Sequence, residues 1–269
     1  MNKNPVWRQL LTWRWVLTTL LAITAVLAMV RLGFWQLDRL EQRREYNASV
    51  RVQIERAPLD LNAHASDPNL TNIEYRRVTA RGTYDFSQQV ILRNQVYNGQ
   101  AGMDLLTPLR IEGTDQAVLV DRGWIPLEDL AREQWKKYDE PGLITLTGIF
   151  RSSQTASNPL GQTDPKEGRL DAFIFANLER IQKQVDLPLL PMYIQQTSGG
   201  KPADGGLPAR TEPVFDLSEG PHEGYAIQWF TFAAILAAGY PFYVRSRLAG
   251  KPARKTTHPG LNQKTLIKK

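Results

Sequence analysis

The sequence predicts a membrane protein in which two transmembrane α-helices flank an antiparallel, β-rich α+β domain folded as a barrel or a sandwich. Three observations carry that expectation. Two apolar runs lie near the two ends of the 269-residue chain, charge is divided unevenly between ends and middle, and the middle alternates apolar and polar residues at the period of a strand.

The first run, Trp15 to Val30, holds 16 uncharged residues between Arg14 and Arg31. It is short against the ~20 residues that a bilayer usually takes, but both arginines can snorkel, and Leu10, Leu11 and Trp13 extend its apolar surface. A cleaved signal peptide is the alternative, since basic residues precede an apolar stretch containing Val26-Leu27-Ala28. Apolar, helix-compatible sequence continuing through RLGFWQL favours a retained span. The second run, Gly224 to Val244, holds 21 uncharged residues. Tyr225, Trp229 and Phe230 at one end, and Tyr240, Phe242 and Tyr243 at the other, form the aromatic belts of two interfaces, and Pro241 near the exit is compatible with a span.

The net charge of +6 conceals a division. All 27 acidic residues and 22 of the 33 basic ones lie from Arg31 to Glu223, which leaves that segment at −5. The flanks hold Lys3, Arg8 and Arg14 on one side, and Arg245, Arg247, Lys251, Arg254, Lys255, Lys264, Lys268 and Lys269 on the other, with no acid. By the positive-inside rule both ends face the cytoplasm and the middle faces the opposite side. In a bacterium this means the cytoplasmic (inner) membrane with a periplasmic domain. The expected organisation is therefore a tail over 1–14, a first span over 15–31, an external domain over 32–222, a second span over 224–244 and a basic tail over 245–269. Basic tails that abut apolar runs and lack an aromatic stacking surface point to the lipid bilayer as partner and not to nucleic acid. The absence of cysteine excludes disulfides, thiolate metal sites and c-type haem attachment.

Within the middle, VTARGTYDF alternates strictly, with Val78, Ala80, Gly82, Tyr84 and Phe86 on one side. QVILRNQVY reaches the turn signal Asn98-Gly99, and MDLLTPLRI follows, where Pro108 suggests a sheet edge or a bulge. QAVLVDRGWIP reads as a continuous apolar strand, and LITLTGIF places Ile144, Leu146 and Phe150 on one face. Five closely spaced strands favour an antiparallel barrel or sandwich. RLGFWQLDRLEQRREYNASV reads as a helix leaving the membrane, and NLERIQKQV as a short amphipathic helix with Asn177 as its cap. SSQTASNPLGQTDPKEG and SGGKPADGGLPAR read as loops.

Little familiar chemistry is available. His64 lies in a polar loop and His258 in the basic tail; no pair of the three histidines has ligand spacing, and the four methionines are scattered. No nucleophile elbow, dinucleotide fingerprint or Walker loop is present, so a non-enzymatic protein is expected. Asp121-Arg122 reads as a salt-bridged pair shaping the turn before Trp124. His222 stands at the mouth of the second run, three residues before Tyr225 and seven before Trp229, so a helix starting there projects all three from nearly one face. Two readings stay open: a neutral imidazole that ligates a haem iron beside an aromatic wall, or a solvated residue at a helix start.

RLGFWQLDRLEQR resembles the L-G-x-W-Q-x-x-R signature that follows the first span of the surfeit-locus-type cytochrome c oxidase assembly proteins. EYRRVTARGTYDF, VILRNQVYNGQAGMDLLTPLR, VLVDRGWIP and HEGYAIQWF continue the resemblance in family order, from about Leu10 to Arg247. It implies a protein of two spans around an external β-rich domain, assisting entry of haem a into cytochrome c oxidase subunit I, with haem A synthase as a further partner. The family histidine falls on His222, which becomes the expected haem-iron ligand. Trp35, Gln36, Gln228 and Trp229 match the family's most recognisable positions, and with Tyr225 complete the expected cofactor-binding set. Gly99, Gly102, Gly123 and Trp124 also match, and suit turn and core roles. A scaffold that stabilises an oxidase intermediate without touching haem is the alternative; a haem or quinol enzyme would need an ionisable group that the second run lacks apart from tyrosines.

Overall fold

The chain is described here by a computed structural model covering residues 11–155, 163–199 and 206–248. Lys3, Arg8, His258 and the basic residues from Lys251 onward lie outside the described residues, as do parts of the two predicted loops. The chain divides into two compact units, one formed by residues up to Arg44 together with those from Glu219, the other by Glu45–Ser218.

Helix α1 (Trp13–Glu55, 43 residues) begins near the first apolar run and continues without a break through the charged segment predicted to leave the membrane. Helix α4 (His222–Leu248, 27 residues) contains the second. Both are long and apolar enough to cross a membrane. In the first unit the two helices pack side by side. Gly33 makes this close contact feasible: an added β-carbon there would lie 2.7 Å from the Phe230 ring. Phe34 meets the same ring edge-on at 5.4 Å. Ala226 and Ala233, one heptad apart, are the buried residues of α4, as expected where small side chains let helix backbones approach. Toward the other end of the pair, Thr19 and Tyr240 hydroxyls lie 2.6 Å apart, so two polar groups in apolar surroundings satisfy one another.

The second unit is built on one eight-stranded sheet: β1 (Leu59–Asp60), β2 (Arg77–Tyr84), β3 (Val90–Tyr97), β4 (Gln100–Ile111), β5 (Ala117–Pro126), β6 (Leu143–Ser152), β7 (Ala172–Phe173) and β8 (Met192–Gln196). Their order is β1-β2-β6-β8-β5-β4-β3-β7, and the sheet curls far enough for β2 to pair β4 as well as β6. The five predicted strands are β2 to β6, joined by antiparallel ladders. The antiparallel barrel or sandwich is corrected to a mixed, curled sheet that is not a closed barrel: β1, β7 and β8 each form a parallel pair, with β2, β3 and β5 respectively. Two of these strands have only two residues, too few to show a period; β8 has five and sits centrally between β5 and β6.

Strand β2 keeps the predicted alternation, burying Val78, Ala80, Gly82 and Tyr84, while Phe86 falls in the 3-10 turn that follows. Asn98 and Gly99 both take the left-handed conformation of a tight hairpin turn. Pro108 lies within β4, where that strand passes from one neighbour to another: it pairs β3 through Leu106 and β2 from Leu109. The missing amide hydrogen therefore leaves no ladder bond unmade on that side. Helix α2 (Leu61–His64) is capped by the Asp60 carboxylate, and α3 (Leu178–Gln182) by Asn177, which accepts the Arg180 N–H at 3.0 Å, as its sequence predicts. The core around Val78, Leu109, Val120, Phe150 and Ile194 lies against the curled sheet.

Asp121 and Arg122 are not a salt-bridged pair, because successive side chains on a strand leave opposite faces. Arg122 is fully buried between the rings of Tyr84 and Phe86, 4.8 and 5.2 Å from their centroids. It donates to Gln89 Oε1 at 2.9 Å, Glu140 at 3.1 Å and the Tyr138 carbonyl. Asp121 instead accepts the Gly123 N–H at 3.0 Å.

Candidate functional site

The close passage at Gly33 positions what lies one turn along α1. Gln36 follows at helical spacing on the same face and is buried. Across from it stands His222, the first residue of α4 and half-buried. His222 Nδ1 and Gln36 Oε1 lie 2.9 Å apart. An amide oxygen only accepts, so Nδ1 is the donor, and in a neutral ring the lone pair is on Nε2. A hydrogen bond to one imidazole nitrogen is the usual device for orienting a metal-binding histidine through the other. Gly220, which has no side chain, lies beside the ring; even an added β-carbon would sit 3.7 Å from Nε2. The residues present would therefore fit a metal held through His222 Nε2. Further out, Arg44 on α1 pairs Glu219 at 2.9 Å and ties the chain entering α4 to α1.

The remaining expected site residues are arranged differently. Tyr225 is 48% exposed and Trp35 41% exposed, so both offer large ring surface outside the helix contact. Trp35 has the Arg39 guanidinium 5.8 Å from its centroid, and Trp229 packs edge-on against Phe232. Gln228 is exposed. Among the described residues no hydrogen bond or ring contact connects these four to His222. The structure joins His222 to Gln36 and leaves Tyr225, Trp229, Gln228 and Trp35 around that pair without fixing them to it. His64, as expected, is a surface residue whose ring meets the Asp60 carbonyl. Among the described residues no group of three or more His, Asp or Glu is placed to hold a metal ion.

The SURF1 family model matches residues 23–234. The chain belongs to the SURF1 family. The matched span runs from within α1 to within α4, and so includes Gln36, the whole sheet and His222. Among similar proteins, a SURF1-like protein of Rickettsia bellii is 27% identical, with 85% of this chain and 91% of that protein aligned. A SURF1-like protein of Monosiga brevicollis is 26% identical over 84% of this chain and 88% of its own length. The Arabidopsis thaliana protein named Surfeit locus protein 1 is 23% identical over 83% and 75%. SURF1-like sequences of bacteria and eukaryotes thus align with most of this chain.

Proposed function

We propose that this SURF1-family protein is a non-enzymatic assembly factor for haem–copper cytochrome c oxidase. It holds haem a transiently and presents it to subunit I, with haem A synthase as the partner upstream. In this reading α1 and α4 span a bacterial cytoplasmic membrane, both termini are cytoplasmic, and the β-rich unit is periplasmic. Family membership and the two apolar helices support that arrangement.

The observation that carries the haem reading is the Gln36–His222 hydrogen bond. Gln36 holds the imidazole in the tautomer whose Nε2 can bind iron. Haem, when bound, would supply an iron that an imidazole nitrogen can ligate, and His222 would be the residue to hold it. The exposed rings of Tyr225 and Trp35 offer apolar surface for a macrocycle, and Gln228 an amide for its polar edge. One histidine suits a carrier better than two, because the group must also be released.

The test is the absorption spectrum of the full chain purified from cells that make haem a. Wild type is expected to carry a Soret band, His222→Ala to lose it, and Gln36→Leu to retain a weaker, shifted one. A wild-type protein that copurifies with subunit I but shows no Soret band defeats the carrier reading and leaves a membrane scaffold. Steady turnover of haem or quinol by the isolated protein would defeat the non-enzymatic one.

A further inference from the structure

One charged residue of the RLGFWQLDR stretch has no role in the haem reading. Gly33 lets α1 approach α4, Trp35 offers its ring, and Gln36 meets His222. Arg39 closes the stretch and is exposed. It lies one turn beyond Gln36, about 4.5 Å further along the axis at the rise of an α-helix. Three residues apart, the two side chains leave nearly one face.

The two helices run antiparallel here, since Gly33 meets Phe230 and Gln36 meets His222. Moving from Gln36 to Arg39 on α1 therefore leads past the head of α4 and away from both apolar runs, whose nearer ends are Val30 and Gly224. A porphyrin on His222 would bring an apolar body with two carboxylates on one edge. A carboxylate turned towards the apolar runs would lose its hydration without a charge partner, so that edge is directed the other way, towards Arg39. Gln228 offers it only a neutral amide.

Arg39 is the cation placed to receive it. Arg44 pairs Glu219 at 2.9 Å, and Arg31 lies five residues before Gln36, on another face and beside the first apolar run. Arg39 has no carboxylate partner among the described residues. Its guanidinium donates to the neutral side chain of Gln42 at 3.0 Å and lies 5.8 Å from the Trp35 ring centroid. Asp38 and Glu41, one and two residues away, point elsewhere around the helix. The indole steadies the guanidinium by a cation–π contact, and the N–H groups not used on Gln42 are left for a further acceptor.

We propose that Arg39 binds a carboxylate of the porphyrin held at His222, and so fixes which edge of the macrocycle faces away from the membrane. The proposal rests on the haem reading and adds to it a residue that positions the group. A guanidinium and a carboxylate match through two parallel hydrogen bonds, which constrain orientation as well as distance. His222 would decide where the group sits, and Arg39, steadied by Trp35, how it is turned.

Haem a and its dimethyl ester, which lacks both negative charges, are titrated into the full chain in detergent and followed by the shift of the Soret band. Wild type is expected to bind the diacid about fivefold more tightly than the ester, and Arg39→Gln to weaken the diacid about fivefold while leaving the ester unchanged. Arg31→Gln removes the same charge from another face of α1 and is expected to leave the diacid unchanged. Ester bound by wild type as tightly as diacid, an Arg39→Gln effect that is absent or equal for the two ligands, or an equal loss in Arg31→Gln each overturns the proposal and leaves the His222 reading standing. A wild type that shifts the Soret band of neither ligand overturns both.

Discussion

Gly33 on α1 lies against the ring of Phe230 on α4, with no room for a β-carbon between them. The contact lies one helical turn from Gln36, so it sets how near α1 comes to the histidine at the head of α4. Gly33→Val is expected to displace Phe230 and to cost about 1–3 kcal/mol, the range of an overpacked site. Thermal unfolding of the solubilised protein checks the cost. A cysteine pair at positions 36 and 222 checks the geometry, since its oxidation should slow when Val replaces Gly33.

Arg122 supports the sheet through its bonds rather than through its charge alone. It reaches Gln89, Tyr138 and Glu140, and two rings enclose it. Arg122→Ala removes these and leaves a cavity, with an expected loss of about 3–5 kcal/mol in chemical denaturation. Arg122→Lys should recover little, because an ammonium cannot fork between Gln89 and the Tyr138 carbonyl. A lysine variant as stable as wild type would show that the charge suffices.

Stability should fall as pH rises from about 4 to about 8. Burial, with Asp121's charge second, pushes the Asp104 carboxyl up to about 8, and burial pushes Asp121 up to about 6, so the folded chain holds their protons more tightly than the unfolded chain does. Their contribution is complete below the ordinary aspartate value and is lost as pH climbs through about 6 and then about 8. The slope is about 1.4 kcal/mol per pH unit for each proton. Asp129 acts oppositely: hydrogen bonds from Lys137 and Tyr138 hold its pKa down, so its contribution is lost only in acid. Denaturation midpoints measured from pH 5 to 9 should decline for wild type and flatten for Asp104→Asn/Asp121→Asn.

Period-two patterning made β2 legible because one of its faces is buried along its whole length. The same reasoning misjudged Asp121-Arg122, where both faces are covered and a bulge intervenes, so adjacent charges find separate environments. Strands β1 and β7 are too short to carry a pattern, and parallel pairing leaves no hairpin signal between partners. His222 was legible from its place before an apolar run. Its bond to Gln36 was not, since 186 residues separate the two.

The placement of β8 sets an order for synthesis. It is the last strand to leave the ribosome, yet it belongs between two made long before it. Until residues 192–196 emerge, β5 and β6 each carry a bare edge of unpaired amides and carbonyls. The nascent protein therefore passes through a stage in which a gap stands open at the heart of its sheet. Translation arrested before that point should yield a species prone to self-association and readily bound by chaperones.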